Sequence, residues 1–382
     1  MRAIDQGIRT ALVEEIRRGA TVPEVAQHFG ISERTAIRIV RNQRASGDEI
    51  RINKGRPKIS RLPHRFGRPV DLAGRSADDA YAILRRLPFP YPPVLDSGEA
   101  KRQFERLRGL RLALVDGEIR PRSPVGTALC APFFPNRYQA CAKGNLSAFE
   151  VWHDDRELRR AIDLQIRYGD PVEPHRVLRA ITLRCRTPTI FRPCVARFIY
   201  ERYCPSGGIA WDPCAGYGGR LLGAAAAGIR YLGTDVEPET VDGNRQLATQ
   251  VGVSVEVHIA AAESFESPRV DLVFTSPPYF DRERYSMSEA QSWRRHGKDF
   301  ESWLGGFLSP MIERARGALP AGGYLLLNVA DLRERRRAIP VVARTIEVAT
   351  EIGFAHVETL RIPLAAINRS SPSEPLLVFR KA

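Results

Sequence analysis

The sequence predicts an α/β protein whose C-terminal half is a parallel sheet covered by helices. From Gly207 onward, short apolar runs typical of buried strands alternate with longer amphipathic stretches typical of helices. Strands are predicted at 209–211, 231–234, 253–259, 270–274, 324–329, 356–362 and 376–379, and helices at 238–251, 300–319 and 340–352. Such alternation favours parallel strands joined by helices. The last two strands have no helix between them, which predicts an antiparallel hairpin.

Length and composition limit the class of protein. The 382 residues suffice for two domains, and 43% hydrophobic residues suffice for a large core. The chain contains no apolar run of about 18 residues and begins without a signal-peptide core, so we expect a cytoplasmic protein with no membrane span. Six cysteines without paired CxxC spacing indicate neither a metal site nor a disulfide framework. The net charge of +14 indicates a polyanionic partner.

Residues 1–50 are predicted to form a small helical module. Thr21 and Glu24 form a capping box, Gly30 ends the second helix, and Ser32 caps a third helix at 33–44. This pattern resembles a homeodomain-like helix-turn-helix, whose third helix reads DNA. The residues expected to contact DNA there are Arg34, Thr35, Arg38 and Arg41. A plain three-helix bundle with a solvated basic face is the alternative.

Residues 51–75 are predicted to be a basic linker. It holds two Gly-Arg-Pro tripeptides, centred on Arg56 and Arg68, which resemble the minor-groove AT-hook. A flexible linker with no DNA contact is the alternative.

Residues 76–185 are predicted to be a mixed helical and loop region. Prolines interrupt it, short helices are expected at 77–86 and 99–108, and the pattern becomes helical again from 147 to 181. A target-recognition region or a lid is the expected role. Asp154 and Asp155 fit a helix N-terminus better than a substrate cleft.

Three motifs follow the strands of the C-terminal half. The first, Asp212-Pro213-Cys214-Ala215-Gly216-Tyr217-Gly218-Gly219-Arg220, opens a helix, and its glycines allow a tight turn close to a ligand. Asp235 ends the second strand, 19 residues after Gly216. The third motif is Thr275-Ser276-Pro277-Pro278-Tyr279, at the end of the fourth strand. The carboxyl ends of such strands are where α/β enzymes place their chemistry.

The third motif suits an amino group as the reacting partner. The Ser276 hydroxyl and the Pro277 carbonyl can accept hydrogen bonds from an NH2 group and localise its lone pair, while two prolines stiffen the backbone. Tyr279 offers a ring face to a base taken out of the stack. A Pro-Pro turn without chemistry is the alternative for this motif alone.

Together the motifs resemble those of the amino-group DNA methyltransferases, which transfer a methyl group from S-adenosylmethionine (SAM) to an exocyclic base nitrogen. The resemblance covers about Thr187 to Lys381 and implies a seven-stranded class I methyltransferase (Rossmann-like) sheet in residues 186–382. Cys214 stands where the family usually has Phe, and Glu263 fits the family's adenine-side acid only if its loop shifts. The resemblance implies catalytic roles for Ser276, Pro277, Pro278 and Tyr279, and cofactor contacts for Asp212, Pro213, Cys214, Ala215, Gly216, Gly218, Asp235 and Thr275.

The target base is less closely defined. The catalytic loop holds no Cys for attack on cytosine C5, which leaves the exocyclic amines, cytosine N4 or adenine N6. The resemblance favours cytosine N4, because Ser before Pro-Pro is commoner in the family's N4 enzymes. The implied partner is double-stranded DNA with a flipped base, in the cytoplasm at the nucleoid. A restriction-modification role with a companion nuclease and a solitary role both stay open. An RNA methyltransferase and an inactive DNA-binding regulator are the rival functions.

Overall fold

The computed structural model describes residues 11–15, 25–26, 28–29, 36, 76–121, 123–167, 172–280, 282–297, 299–334, 337–363 and 373–382. The chain forms two compact units, Met1–Val70 and Asp71–Ala382. In the first unit, residues 11–15, 25, 26, 28 and 36 are helical, and Leu12, Val25 and Ala36 are buried. The rest of the predicted helix-turn-helix and all of the predicted basic linker lie outside the described residues and stay predictions.

The second unit is organised by a nine-stranded mixed sheet, beside which two further pairs of strands, β3 with β8 and β10 with β11, form small sheets of their own. The described strands of this unit are β1 (Ala113–Val115), β2 (Glu118–Arg120), β3 (Cys141–Ala142), β4 (Ile209–Asp212), β5 (Arg230–Asp235), β6 (Glu256–Ile259), β7 (Leu272–Thr275), β8 (Glu283–Arg284), β9 (Tyr324–Asn328), β10 (Leu332–Glu334), β11 (Arg337–Ile339), β12 (Phe354–Pro363) and β13 (Ser373–Lys381). The order in the large sheet is β1-β2-β12-β13-β9-β7-β4-β5-β6. Strands β6, β5, β4, β7 and β9 are parallel, and β12 and β13 form the predicted antiparallel hairpin. These seven strands form the class I methyltransferase sheet, which confirms the predicted fold class.

Helices alternate with the strands from β4 onward, and a further group of helices precedes β4. The described helices of this unit are α1 (Ala77–Leu84), α2 (Ser97–Gly109), α3 (Thr127–Cys130), α4 (Ala148–His153), α5 (Asp155–Arg167), α6 (Pro174–Cys185), α7 (Pro193–Tyr203), α8 (Gly219–Ala227), α9 (Pro238–Val251), α10 (Ser292–Arg295), α11 (Phe300–Trp303), α12 (Ser309–Ala318) and α13 (Val341–Ile352). A π-helical turn at Leu304–Leu308 joins α11 to α12. Local sequence explains the boundaries of α9, because Pro238 fits its first position and Gly252 takes the left-handed conformation that ends it. No helix among the described residues is long and apolar enough to cross a membrane.

The middle region packs as part of the same unit as the predicted catalytic domain. Strand β2 joins β12 in parallel, so residues 113–120 extend the edge of the large sheet. Strand β3 pairs with β8, directly after the third motif. The boundary predicted at residue 185 therefore does not separate two compact units. Asp154 accepts a hydrogen bond from the Glu157 amide at the start of α5. This confirms the prediction that Asp154 lies at a helix N-terminus and not in a substrate cleft.

Both faces of the sheet are buried. Neighbouring residues of a strand point to opposite faces, so Leu272 and Phe274 pack into one core cluster while Val273 packs into the other. Helices α7, α8 and α9 cover the first face, and α12 and α13 cover the second. Burial on both faces explains why these strands read as continuous apolar runs in the sequence.

Candidate active site

A cavity opens where the parallel strands end. Since β4, β5, β7 and β9 run in the same direction, their carboxyl ends meet at one edge of the sheet. The cavity has a volume of about 220 Å³. Its walls come from the loops after β4, β5 and β6, from the third motif after β7, and from Asn328 at the end of β9.

The loop from Asp212 to Arg220, which we call the glycine loop, forms one wall. Gly218 has φ of 75°, a left-handed conformation that glycine adopts without strain, and it precedes the first residue of α8. A Cβ on Gly219 would lie 1.9 Å from the carbonyl oxygen of Phe191. A glycine at this position therefore lets the loop lie against the segment Thr187–Pro193, from which Pro188, Thr189 and Phe191 also line the cavity.

Asp212 lies beneath this loop and away from the cavity surface. The side chain is fully buried, and its Oδ2 accepts hydrogen bonds from Arg220 Nε and Tyr231 OH, both at 2.7 Å. Its Oδ1 accepts a hydrogen bond from Thr275 Oγ1 at 2.8 Å. Because both oxygens are engaged inside the protein, the expected direct contact between Asp212 and a ligand is replaced by a structural role. The carboxylate fixes the glycine loop to the strands beside it.

Thr275 joins the glycine loop to the third motif. Its hydroxyl donates to Asp212 and accepts a hydrogen bond from the Cys214 amide at 3.1 Å. Thr275 is fully buried and, like Gly218 and Asp212, does not line the cavity. Cys214 does line it, and burial raises the pKa of its thiol well above the usual range. A protonated thiol is a poor nucleophile, so Cys214 is poorly suited to attack a base.

Asp235 presents a carboxylate at the end of β5. Oδ2 accepts a hydrogen bond from the Gly216 amide and Oδ1 from the Glu237 amide, both at 3.0 Å. Burial raises the pKa of this carboxyl to about 6, although the two amide bonds act to lower it. Asp235 lines the cavity, so the remaining lone pairs of its oxygens can accept hydrogen bonds from a ligand.

The third motif forms the opposite wall. Ser276, Pro277, Pro278 and Tyr279 all line the cavity. The Ser276 hydroxyl donates to the Asn328 carbonyl oxygen at 3.3 Å. Since its proton is used there, the oxygen is left to accept hydrogen bonds from a ligand. The Tyr279 hydroxyl accepts a hydrogen bond from the Ala330 amide, and its ring packs against Trp303, which fixes the orientation of the ring.

Four further carboxylates line the cavity, and of these the sequence had singled out only Glu263, on the condition that its loop shifts. Glu237 accepts hydrogen bonds from Ser286 and Gln291, and Glu263 pairs with His296 and Arg295 at 2.7 and 2.8 Å. The other two are Glu283 and Glu374. Glu263 therefore faces the cavity, and residues from the segment after the third motif hold it. Of the three residues that the sequence did not single out, only Glu237 had a possible signal, because it lies two residues after Asp235.

The structure thus gathers in one cavity most of the residues that were predicted to be catalytic or to contact the cofactor. Those lining the cavity are Pro213, Cys214, Ala215, Gly216, Asp235, Ser276, Pro277, Pro278 and Tyr279. The predicted DNA contacts lie outside the described residues; these are Arg34, Thr35, Arg38, Arg41, Arg56 and Arg68. No group of His, Cys, Asp and Glu residues fit to hold a metal ion occurs in the described part of the chain.

Comparison with known proteins gives one curated relative and many solved structures. No family model matches the chain. The chain is 28% identical over 148 residues to a tRNA (guanine(10)-N2)-dimethyltransferase of Methanothermobacter thermautotrophicus. That match covers 36% of this chain and 42% of the relative, so the chain spans about two fifths of the length of the curated relative.

The solved structures similar to this chain include several methyltransferases. A methyltransferase from Pyrococcus furiosus has a TM-score of 0.36 and 15% identity, over 50% of this chain and 83% of that one. Magnesium protoporphyrin IX methyltransferase from Synechocystis PCC 6803, solved with bound SAM, has a TM-score of 0.34 and 15% identity, over 49% and 76%. Scores this low add nothing to the fold assignment, which rests on the order and direction of the strands.

Proposed function

We propose that this protein transfers a methyl group from SAM to an exocyclic amino group of a nucleobase, with cytosine N4 of double-stranded DNA as the favoured target. One observation carries the proposal. The glycine loop with Asp235, and the Ser276–Tyr279 motif, line a single cavity at the carboxyl edge of the sheet. This arrangement supports a methyl donor bound on one wall and an amine held on the other.

The charges in the cavity suit SAM as the ligand. Asp235, Glu237, Glu263, Glu283 and Glu374 line it, while the Arg220 guanidinium is paired with Asp212. An acidic lining of this kind favours a cation and disfavours the phosphates of a dinucleotide. SAM carries a positive sulfonium and a ribose diol, and Asp235 can accept from both diol hydroxyls. When bound, SAM supplies an electrophilic methyl group.

The opposite wall suits an amine as the acceptor. The Ser276 oxygen and the Pro277 carbonyl would hold the two amine hydrogens, which turns the nitrogen lone pair away from the base ring. Tyr279, held by Ala330 and Trp303, would stack on the base. The chain's own residues therefore bind, orient and stack the amine-bearing base.

The choice of DNA as the target polymer rests on the N-terminal sequence and on charge. Residues 1–70 contain 15 basic and 7 acidic residues, a surplus of 8 within the chain's net +14. The helix-turn-helix and AT-hook resemblances favour duplex DNA. A second candidate is guanine N2 of RNA, which the match to the tRNA dimethyltransferase favours.

One assay separates the candidates. The purified protein is incubated with labelled SAM and either a long mixed-sequence duplex DNA or total tRNA, and the digested nucleosides are identified by mass spectrometry. We expect N4-methyldeoxycytidine from the DNA. N6-methyldeoxyadenosine would change the base, and N2-methylguanosine from tRNA alone would establish the second candidate. No methylated nucleoside from either polymer would refute the proposed function.

A further inference from the structure

Methylation of an amine releases a proton, and the third motif has no group to receive it. Transfer forms a C–N bond and breaks the C–S bond, whose electron pair stays on sulfur. The nitrogen becomes positively charged and returns to neutrality by losing one of its hydrogens as a proton. Ser276 already uses its hydroxyl proton toward Asn328, and an amide carbonyl such as that of Pro277 is far too weak a base. The proton must therefore pass to another side chain in the cavity or to water.

Most carboxylates in the cavity are already engaged. Asp235 accepts two backbone hydrogen bonds, Glu237 accepts from Ser286 and Gln291, and Glu263 is held in ion pairs. Burial raises the pKa of Glu374, on β13, while a hydrogen bond from Asn328 and the field of the Arg192 cation act to lower it. A carboxylate near a cation is a weaker proton acceptor than an equally buried carboxylate without one.

Among the described residues, Glu283 differs from these four because it accepts a single hydrogen bond, from a neutral hydroxyl, and no cation acts on it. It lies on β8, whose pairing with β3 fixes its backbone, and it lines the cavity near Tyr279, on which its charge acts. The Tyr285 hydroxyl donates to Oε2 at 2.7 Å. Within the part of the chain that the structure describes, no ion pair compensates its charge. A carboxylate in a cavity with no cation beside it is costly, which is typical of a functional group.

We propose that Glu283 is a catalytic residue whose Oε1 accepts the proton released by the target amine. This inference rests on the proposed function but not on the identity of the base, because cytosine, adenine and guanine amines all release a proton. Tyr285 then acts as a positioning residue, since its hydroxyl occupies Oε2 and leaves Oε1 toward the cavity.

The surroundings of Glu283 are consistent with this role. Burial raises the pKa of its carboxyl, the Tyr285 hydrogen bond acts to lower it, and the nearby Glu374 raises it. The other titratable groups on which its charge acts are Tyr279 of the third motif and Tyr217 of the glycine loop. A base with a raised pKa accepts a proton more readily near neutral pH.

The test compares Glu283→Gln with the wild type in single-turnover methyl transfer. Glutamine keeps the shape of the side chain and can accept the hydrogen bond from Tyr285, but its amide is not a base near neutral pH. At saturating SAM we expect a rate about 100-fold lower, because general-base assistance contributes on the order of 10²- to 10⁴-fold. The loss of one negative charge from the cavity should weaken SAM binding far less than this. The wild-type rate should rise with pH as Glu283 ionises, and the variant should lack this rise. Glu289→Gln, on the same segment but exposed and outside the cavity, is the control and should match the wild type.

A second measurement needs no methyl transfer. Burial raises the folded-state pKa of Glu283 above its ordinary value of 4.5. The stability that this pKa shift contributes is therefore fully present below pH 4.5 and is lost as the pH rises through the folded-state pKa. In thermal unfolding of the ligand-free protein, Glu283→Gln should therefore gain stability relative to the wild type between pH 5 and pH 8. A difference that stays constant with pH would overturn the assignment.

The remaining outcomes are distinct. A Glu283→Gln rate within about threefold of the wild type would refute the inference while leaving the proposed function intact. A large loss in Glu374→Gln, with none in Glu283→Gln, would give the role to Glu374 instead. A wild type inactive on both DNA and RNA would refute the proposed function, and this inference with it.

Discussion

Replacing Asp235 with asparagine should weaken SAM binding and remove most of its dependence on pH. The carboxylate keeps its two amide hydrogen bonds at 3.0 Å and offers its remaining lone pairs to the cavity. An asparagine of the same shape has one oxygen instead of two and no charge. The substitution therefore tests the carboxylate and leaves the size of the side chain nearly unchanged.

The expected magnitudes follow from the pKa of about 6. In the ligand-free protein this raised value stabilises the fold at pH below 3.8, and the contribution is lost as the pH rises through 6. The ionised carboxylate accepts hydrogen bonds from ligand hydroxyls much more strongly than the protonated carboxyl does. SAM binding therefore has the opposite trend and strengthens as the pH rises. At pH 5 about one carboxyl in eleven is ionised, which predicts affinity roughly tenfold weaker than at pH 8. Losing hydrogen bonds to a charged acceptor should cost Asp235→Asn about 1.5–3 kcal/mol at pH 8, or about 10- to 100-fold.

Isothermal titration calorimetry with SAM from pH 5 to pH 8 measures both effects. Asp242→Asn, an exposed position on α9, is the control and should bind as the wild type does. Glu283 and Glu374 also have raised pKa values and add some pH dependence to both proteins, so the difference between the wild type and Asp235→Asn isolates Asp235. A wild-type affinity that is flat across this range, or an asparagine variant with the full wild-type slope, would refute the reasoning.

Three other predictions concern the motif, the loop and the N-terminal unit. Ser276→Ala should slow single-turnover methyl transfer by about 100-fold, by analogy with the loss of one oxyanion donor at about 3 kcal/mol, and leave calorimetric SAM affinity nearly unchanged; a wild-type rate would remove Ser276 from the mechanism. Gly219→Ala should lower the melting temperature and abolish SAM binding, because its Cβ would overlap the Phe191 carbonyl, whereas the helical Gly317→Ala, with open space around it, should do neither. Residues 71–382 alone should bind SAM normally but bind duplex DNA more weakly and with less dependence on salt. The reason is that each DNA phosphate neutralised by residues 1–70 adds about 0.9 to the slope of log affinity against log salt concentration. An unchanged slope in a salt titration would assign residues 1–70 to another partner.

The sequence by itself determined the class of the fold and the edge of the sheet where the site lies. Strands buried on both faces appear as apolar runs, and helices between them show the 3.6-residue period, so the seven strands and the final hairpin could be predicted from local pattern. The motifs after β4, β5 and β7 could be assigned to one edge because parallel strands end together. Ser276, Pro277, Pro278, Tyr279 and Asp235 were placed on the site for that reason.

Only the tertiary structure decided what each side chain does there. Asp212 follows the same sequence logic as Asp235, yet Arg220, Tyr231 and Thr275 use its oxygens below the cavity. Glu283 reaches the cavity from a two-residue strand and Glu374 from the antiparallel strand β13, and neither place carries a local signal for a site. Local pattern reports which neighbours along the chain share a face. Whether a carboxylate is paired, buried or left toward a ligand depends on residues far away in the sequence that folding brings beside it.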